Sequence, residues 1–433
     1  MKEIGGNTRS LRDSVDWKLV ICYLVLVLIG WVNIYAAVHS SEPSSIFDWS
    51  CRSGKQAVWI LTAFLLDFLI LFVINPRMWE VISTPAYLAV VLLLIAVIFL
   101  GIEVKGSRSW FALGPVRFQP AEISKITTAL LLSMVMSKST FRMYDRSAFL
   151  TVAAIIGIPM LTILCESETG SALVYVGFIF ALYREGLSGW YIVFGLIAVV
   201  LFVLTLVTSW WISLILLGLL CLGWMVNILR STYKEERAVR RSALWHTILA
   251  FLAGVAMIFA TNFIFNNVLQ DHQRKRIEVL LGMKEDPAGV GYNVRQSMIA
   301  IGSGGFAGKG FLHGTQTTYG FVPEQSTDFI FCTIGEEWGF IGCFTVIILY
   351  VLMIIWIIND AEKSRENFTR IYGYCLASCL FMHLFINIGM TIGLMPVIGI
   401  PLPLLSYGGS SLWAFSVMIF IFIALDHQEK KYF

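Results

Sequence analysis

Asp286 stands directly before Pro287 in a polar, glycine-rich stretch from Phe265 to Pro323, inside a chain that is otherwise almost entirely apolar. A proline disfavours helix for the residue ahead of it, so this carboxylate sits on non-helical backbone. A short, fixed carboxylate beside cations could act as a general base toward a weakly acidic hydroxyl; the plainer use of an Asp-Pro pair is to form a turn. The cations nearby are Arg274, Lys275, Arg276, Lys284, Arg295 and Lys309. Guanidinium and ammonium groups suit a diphosphate or another anionic headgroup, and Arg274 and Arg276 are candidate ligand contacts against a merely solvated role. Gly289, Gly291 and the run GSGGFAGKG at 302–310 permit left-handed backbone and could present N–H groups to an anion. Lys309 is followed by Gly310, not Ser or Thr, so a nucleotide-binding loop is not supported.

A second set of ionisable residues lies in or at the ends of apolar segments: Asp67, Glu122, Lys125, Glu166, Glu168, Asp328, Glu336 and Glu337. An unpaired charge in hydrocarbon is costly, which makes each a candidate for function. Glu122 and Lys125 are at i and i+3, where opposite charges compensate each other; the pair either joins helices or offers Lys125 to a cavity. Glu166 and Glu168 read as a segment end, capping a helix or facing water. Asp328 and Glu336, eight positions apart, would share one helix face at two depths, an arrangement that also suits a proton path.

The elements that must position these groups are helices in a membrane. Of the 433 residues 58% are hydrophobic and 14% charged, with 31 Phe and 14 Trp and a mean hydropathy of +0.78. Charge so sparse excludes an ordinary soluble domain, and unalternated apolar runs exclude a transmembrane barrel. The fold class is therefore an all-α polytopic membrane protein. Twelve spans are predicted, near 18–38, 56–75, 82–101, 119–137, 147–164, 169–183, 189–208, 210–228, 244–264, 328–358, 371–395 and 410–425. The run 189–228 is long enough to cross twice, with a turn at Thr208 and Ser209 beside two tryptophans. The chain reads as a single integral membrane domain over 1–433, with a large loop at 265–325 and a hairpin plus basic loop at 189–241.

Charge sets the orientation. An inside N-terminus places 19 of the 31 basic residues on the inner side, five of them between Arg230 and Arg241. Both termini are then cytoplasmic, and the 265–325 loop is outside with the turns around Ser41, Gly106 and Ile400. The polar N-terminal segment lacks a small-residue cleavage site after the first apolar run, so that span is read as retained. The eight cysteines show no metal spacing or disulfide ladder, and Cys375 and Cys379 read as packing residues.

Several motifs resemble one family. GYNVRQSMIAIGSGGFAGKGFLHGTQ at 291–316, FVPEQSTDFIFCTIGEEWGFIG at 321–342 and PLPLLSYGGSSL at 401–412 are similar to the SEDS proteins, the elongation (RodA) type more than the division (FtsW) type. Arg108-Ser109-Trp110, FQPAEISK at 118–125 and GSALV at 170–174 extend the likeness over nearly the whole chain. The resemblance implies a helical-bundle glycosyltransferase that polymerises lipid II at the outer face of the bacterial cytoplasmic membrane, with a class B penicillin-binding transpeptidase and the elongation machinery as partners. It implies Asp286 as the catalytic residue, in the family's D-P-x-G context. Glu122 and Lys125 become cavity residues with Arg108 near them, and Glu324, Asp328 and Ser406 to Ser410 shape the cavity or loop. Two departures stand out: Glu166-Ser167-Glu168-Thr169-Gly170 replaces the usual Gln-Pro-Asp-Leu-Gly, and twelve spans replace ten.

The expected reaction removes a proton from a sugar 4-hydroxyl while the anomeric carbon loses a polyprenyl diphosphate, with inversion. Asp286 would take the proton. Basic side chains such as Arg274, Arg276 and Lys309, or a divalent ion such as Mg²⁺ or Mn²⁺, would stabilise the leaving diphosphate. The alternatives are a lipid II flippase or a proton-coupled transporter using Glu122, Asp328 and Glu336, and a non-catalytic scaffold. The lack of visible inverted repeats weighs against transport.

Overall fold

The structure, a computed structural model, describes residues 15–39, 45–104, 106–114, 116–231, 237–284 and 289–432. In chain order these form α1 (Trp17–Val38), α2 (Arg52–Phe68, prolonged by a π-helical turn Leu69–Val73), α3 (Arg77–Leu100), strands β1 (Ile102–Val104), β2 (Ser107–Leu113) and β3 (Val116–Phe118), then α4 (Pro120–Met136) and α5 (Arg146–Cys165). The broken pair α6 (Thr169–Val176) and α7 (Phe178–Arg184) follows, then α8 (Trp190–Val207), α9 (Trp210–Ser231) and α10 (Arg237–Phe263, prolonged by a π turn Ile264–Val268). The chain ends with α11 (Asp271–Leu280), α12 (Val290–Gly304), α13 (Thr315–Thr318), α14 (Ile330–Lys363), α15 (Asn367–Thr391) and α16 (Gly409–Tyr432).

Hydrocarbon leaves no partner for a free peptide group, so spanning segments close their hydrogen bonds within themselves as helices. Among the described residues ten helices are long and apolar enough to cross a membrane. Two more expected spans are shorter: α4, with 17 residues and Glu122 and Lys125 inside it, and the α6–α7 pair at Thr169–Arg184. The protein is a multi-pass membrane protein. The predicted double crossing at 189–228 is observed as α8 and α9 joined at Thr208 and Ser209, where the Thr208 hydroxyl lies 2.9 Å from that of Ser213.

Two compact units divide the chain, Ser188–Gly291 and the remainder. The sequence's single loop at 265–325 is thereby split: α11 goes with the first unit, and the chain from Tyr292 goes with the second. Within Ser188–Gly291, α8, α9 and α10 pack on one another. Their outward faces are apolar: only 6% of the α8 window and 11% of the α9 window is buried, as lipid-facing helices require.

The remaining unit is built on α15 and α16, whose spanning windows are 83% and 78% buried. Around them pack α4, α14, α7 and α2. Pro120 starts α4 at a position where its missing N–H costs nothing. Asp16 caps α1 by accepting from the amides of Lys18 and Leu19. A buried polar knot ties three helices: the Tyr23 hydroxyl donates to Asp67 at 2.9 Å and lies 2.7 Å from the Ser416 hydroxyl. The strands form a small antiparallel sheet in the order β1-β2-β3 between α3 and α4.

Candidate active site

Asp286 lies outside the described residues, as does its neighbour Pro287. The ground just before it is α11, opened by a reciprocal cap between Gln270 and Gln273. On that helix Glu278 is 7% exposed; it accepts a hydrogen bond from Lys284 at 2.8 Å and forms an ion pair with Arg274 at 3.6 Å. Of the two candidate ligand contacts, Arg274 and Arg276, Arg274 therefore shares an internal carboxylate with Lys284, and that trio keeps a net charge of +1. Arg276, two residues beyond Arg274, projects from a different face.

Inside the bundle Lys125 is fully buried, with its ammonium 2.9 Å from Glu122 Oε1 and 2.9 Å from His383 Nε2. His383 Nδ1 is 3.1 Å from the carbonyl of Pro401. A carbonyl can only accept, so Nδ1 carries the proton and Nε2 offers its lone pair to Lys125. The ammonium also lies over the Phe415 ring, 5.1 Å from its centre. Glu122 Oε2 has no hydrogen-bond partner among the described residues. In this arrangement Lys125 joins α4 to α15, with its side chain 0% exposed among the described residues. The sequence reading passed over His383, although an ionisable residue in a predicted span was signal enough.

One turn further along α15, Asn387 Nδ2 donates to the carbonyls of Asp328 (2.8 Å) and Ile400 (2.7 Å). His383 and Asn387 thus hold the 400–401 segment side by side and connect the Lys125 cluster to the polar loops. The Ser406 hydroxyl donates to the Thr327 carbonyl and accepts from the Leu402 amide. Glu324, held at φ +54°, pairs with Arg52 at 3.9 Å, and Arg52 also donates to the Ser326 hydroxyl at 2.6 Å. Glu122, Lys125, Asp328 and Ser406 are consequently parts of one connected network, with Glu324 at its edge. Ser410 lies at the first turn of α16, half-buried. Arg52 and Asn387 were not foreseen. Asp328 does not share a helix face with Glu336: α14 begins only at Ile330, behind an N-cap Phe329 with ψ +25°, so Asp328 belongs to the preceding turn.

Glu336 is fully buried and saturated. Its Oε1 accepts from Lys309 Nζ at 2.6 Å, the Thr315 hydroxyl at 3.2 Å and the Gln316 amide at 2.8 Å, and Oε2 accepts from the Thr317 amide at 2.9 Å. Lys309, expected to meet a diphosphate, is engaged in this latch. The glycine run does not present its amides to an anion either. The amides of Lys309 and Gly310 donate to the carbonyls of Glu336 and Glu337, both at 3.0 Å. In return the amides of Phe340 and Ile341 donate to Gly305 and Phe306 at 2.9 and 3.2 Å. The exchange is possible because α14 is kinked at Gly339, φ +63°, which frees those groups. Gly308, at φ +81°, is needed for close approach: a Cβ there would lie 2.1 Å from the Glu337 carbonyl oxygen. A run of glycines serves a peptide groove as well as an anion nest, and the sequence alone does not say which carbonyl arrives.

Arg108, on β2, pairs with Glu103 at 3.5 Å and is largely exposed. Beside it the hydroxyls of Ser107 and Ser109 donate to Glu168 Oε1 at 2.9 and 2.7 Å. Glu166, at the end of α5, is 2% exposed, and both its carboxylate oxygens are without hydrogen-bond partners among the described residues. Burial, with Glu168 adding repulsion, pushes its carboxyl up to about 8.

The family model FTSW_RODA_SPOVE, described as a cell cycle protein, matches residues 16–240 and 239–431. The chain belongs to the FtsW/RodA/SpoVE family. Among its relatives in that family, the peptidoglycan glycosyltransferase MrdB of Escherichia coli K12 is 33% identical over 412 residues, covering 94% of this chain and 92% of the relative. The peptidoglycan glycosyltransferase RodA of Treponema pallidum is 30% identical, covering 96% and 98%. A solved chain from a peptidoglycan synthase complex, in which polymerization and crosslinking are coordinated, superimposes with a TM-score of 0.67 at 26% identity over 96% of this chain and 98% of that one. These matches make the chain a RodA-like SEDS protein, with the helical-bundle fold expected from its motifs.

Proposed function

We infer that this chain is a peptidoglycan glycosyltransferase of the elongation type. The observation that carries the reading is near-full-length identity of 30–33% to two proteins of that activity. We further propose lipid II as the substrate. Its acceptor hydroxyl oxygen would attack the anomeric carbon as the bond to the polyprenyl diphosphate breaks, and its proton would pass to Asp286. Support for Asp286 is its carboxylate chemistry and the motif around it. Arg274, Arg276 and Arg108, on or near the polar stretches, carry charge of the sign the leaving diphosphate needs. Lys309 supports the glycine segment through Glu336, and the network of Glu122, Lys125, Asp328, Glu324, Ser406 and Ser410 would brace the segments around Thr327 and Ile400.

Among the described residues no group of three or more His, Cys, Asp or Glu side chains could hold a metal ion. A divalent ion, Mg²⁺ or Mn²⁺, fits better as a companion of the substrate's phosphates, a mode that asks for only one or two carboxylates from the protein. A class B penicillin-binding transpeptidase is the proposed partner, in keeping with the synthase complex that contains the solved relative. The excess of basic residues on one side, 19 of 31, supports cytoplasmic termini and an outward-facing loop region.

The test is polymerisation by the purified protein in detergent with lipid II and a divalent ion, read as glycan products on a gel. Polymer from the parent protein and none from a folded Asp286→Ala variant is expected. An Asp286→Ala protein that polymerises at the parent rate overturns the assignment. A protein that yields no polymer yet moves lipid II between the leaflets of a vesicle would favour the flippase.

A further inference from the structure

At the end of α15 opposite the polar loops, Arg184, Glu185, Gly186, Glu362, Arg370 and Tyr374 line a pocket of about 510 Å³. Arg184 closes α7, Glu362 lies in the last turn of α14, and Arg370 in the first turn of α15. The pocket therefore sits where three membrane helices end. Its charges are balanced, two guanidinium groups against two carboxylates. Arg370 is bidentate on Glu185 through Nε and Nη2, both 3.0 Å. Arg184 donates through Nη2 to Glu362 Oε1 and lies over the Tyr374 ring.

These pairs do not use up the donors of the two forks, since a guanidinium has five N–H groups, nor the acceptors of Glu362, which has lone pairs on both oxygens. Going deeper from the pocket, the surface changes character. Phe180 lies one turn before Arg184 on α7 and packs edge-on against Phe381 of α15 at 5.5 Å. Phe381 stacks on Phe385 at 5.8 Å. All three rings are 40% or more exposed. A polar pocket at the membrane border thus continues into an apolar aromatic track along α7 and α15.

We propose that this pocket and track bind a phospholipid with a zwitterionic phosphoethanolamine headgroup. The phosphate would take the unspent donors of Arg184 and Arg370. The primary ammonium would meet Glu362 and Glu185 near the Tyr374 ring, and the acyl chains would lie on Phe180, Phe381 and Phe385. The charge balance selects the headgroup. A purely anionic head would bring its charge against two carboxylates, and a quaternary ammonium has no N–H to donate to them. The site is separate from the polymerising machinery proposed above and does not depend on it.

The experiment is thermal unfolding and native mass spectrometry of the full chain in detergent, titrated with phosphatidylethanolamine, phosphatidylcholine or phosphatidylglycerol of matched acyl chains. Phosphatidylethanolamine is expected to give the largest rise in unfolding temperature and the most persistent one-lipid adduct. Arg370→Gln and Glu362→Gln should each weaken its apparent affinity by about tenfold or more, the scale of lost charge-assisted hydrogen bonds. Glu362 is at a helix end and 41% exposed, so its variant keeps the question answerable if Arg370→Gln fails to fold. Equal stabilisation by all three lipids, or phosphatidylethanolamine selectivity unchanged in a folded Glu362→Gln protein, overturns the proposal.

Discussion

Two lysines of this protein each meet a buried glutamate, and their surroundings differ. Lys125 and Glu122 sit one turn apart in α4, with His383 as the other polar partner and one carboxylate oxygen unspent. Lys309 reaches Glu336 across a fold of the chain, and that carboxylate also receives two backbone amides and two hydroxyls. The first pair is nearly self-contained and lies in the network the loops rest on. The second is one strand of a latch whose removal orphans many groups at once. Charge pairing alone does not separate function from architecture; the number of partners left behind does.

The sharpest way to break this comparison is Glu336→Ala. It should destabilise the protein by about 3–5 kcal/mol, and adding Lys309→Met should recover little, because the amides of Gln316 and Thr317 stay unsatisfied. Unfolding temperatures in detergent for both variants check this; full recovery in the double variant would reduce the latch to an ordinary ion pair. Next is Gly308→Ala, which adds a methyl 2.1 Å from a carbonyl oxygen at φ +81°. A loss on the order of 2–4 kcal/mol is expected from backbone strain plus overpacking.

The opposite outcome is expected in α4. Glu122→Leu with Lys125→Met removes both charges together and leaves a single buried acceptor, His383 Nε2, without its donor, so the loss of stability should be only about 1–3 kcal/mol. Polymerisation should nevertheless fall on the order of a hundredfold, the scale of losing a preorganised charge near a site. Retention of full polymerisation by a stable double variant would make this pair a helix joint and nothing more.

A pH-dependent effect concerns Glu166. Its carboxyl is raised from 4.5 to about 8 by burial, so the unfolded chain ionises first as pH rises. Its contribution is fully present below about pH 4.5 and is lost between there and about pH 8, with a slope of at most about 1.4 kcal/mol per pH unit. Glu166→Gln should flatten the fall in unfolding temperature across that window; an unchanged pH profile would mean the group is solvated.

The helices were legible because lipid admits so few solutions: even the double crossing at 189–228 followed from length and two polar residues. The partners in the site were not. Lys125 and His383 are separated by 258 positions, and nothing in local spacing brings them together. The glycines at 302–310 announced unusual backbone correctly, but the group they accommodate comes from the kink in α14. The turn before Ile330 went unseen because the apolar pattern runs through it, and only the Phe329 dihedrals mark where the helix begins.

The break at Gly339 has a mechanical consequence. The amides of Phe340 and Ile341, cut off from their own helix, are tied to Gly305 and Phe306. Pulling the glycine segment away would strand two peptide groups without their partners, at about 1–3 kcal/mol apiece where water cannot replace them. The short piece Ile330–Trp338 and the glycine segment must then travel together, so that a push on one surface is delivered as a tilt of the other.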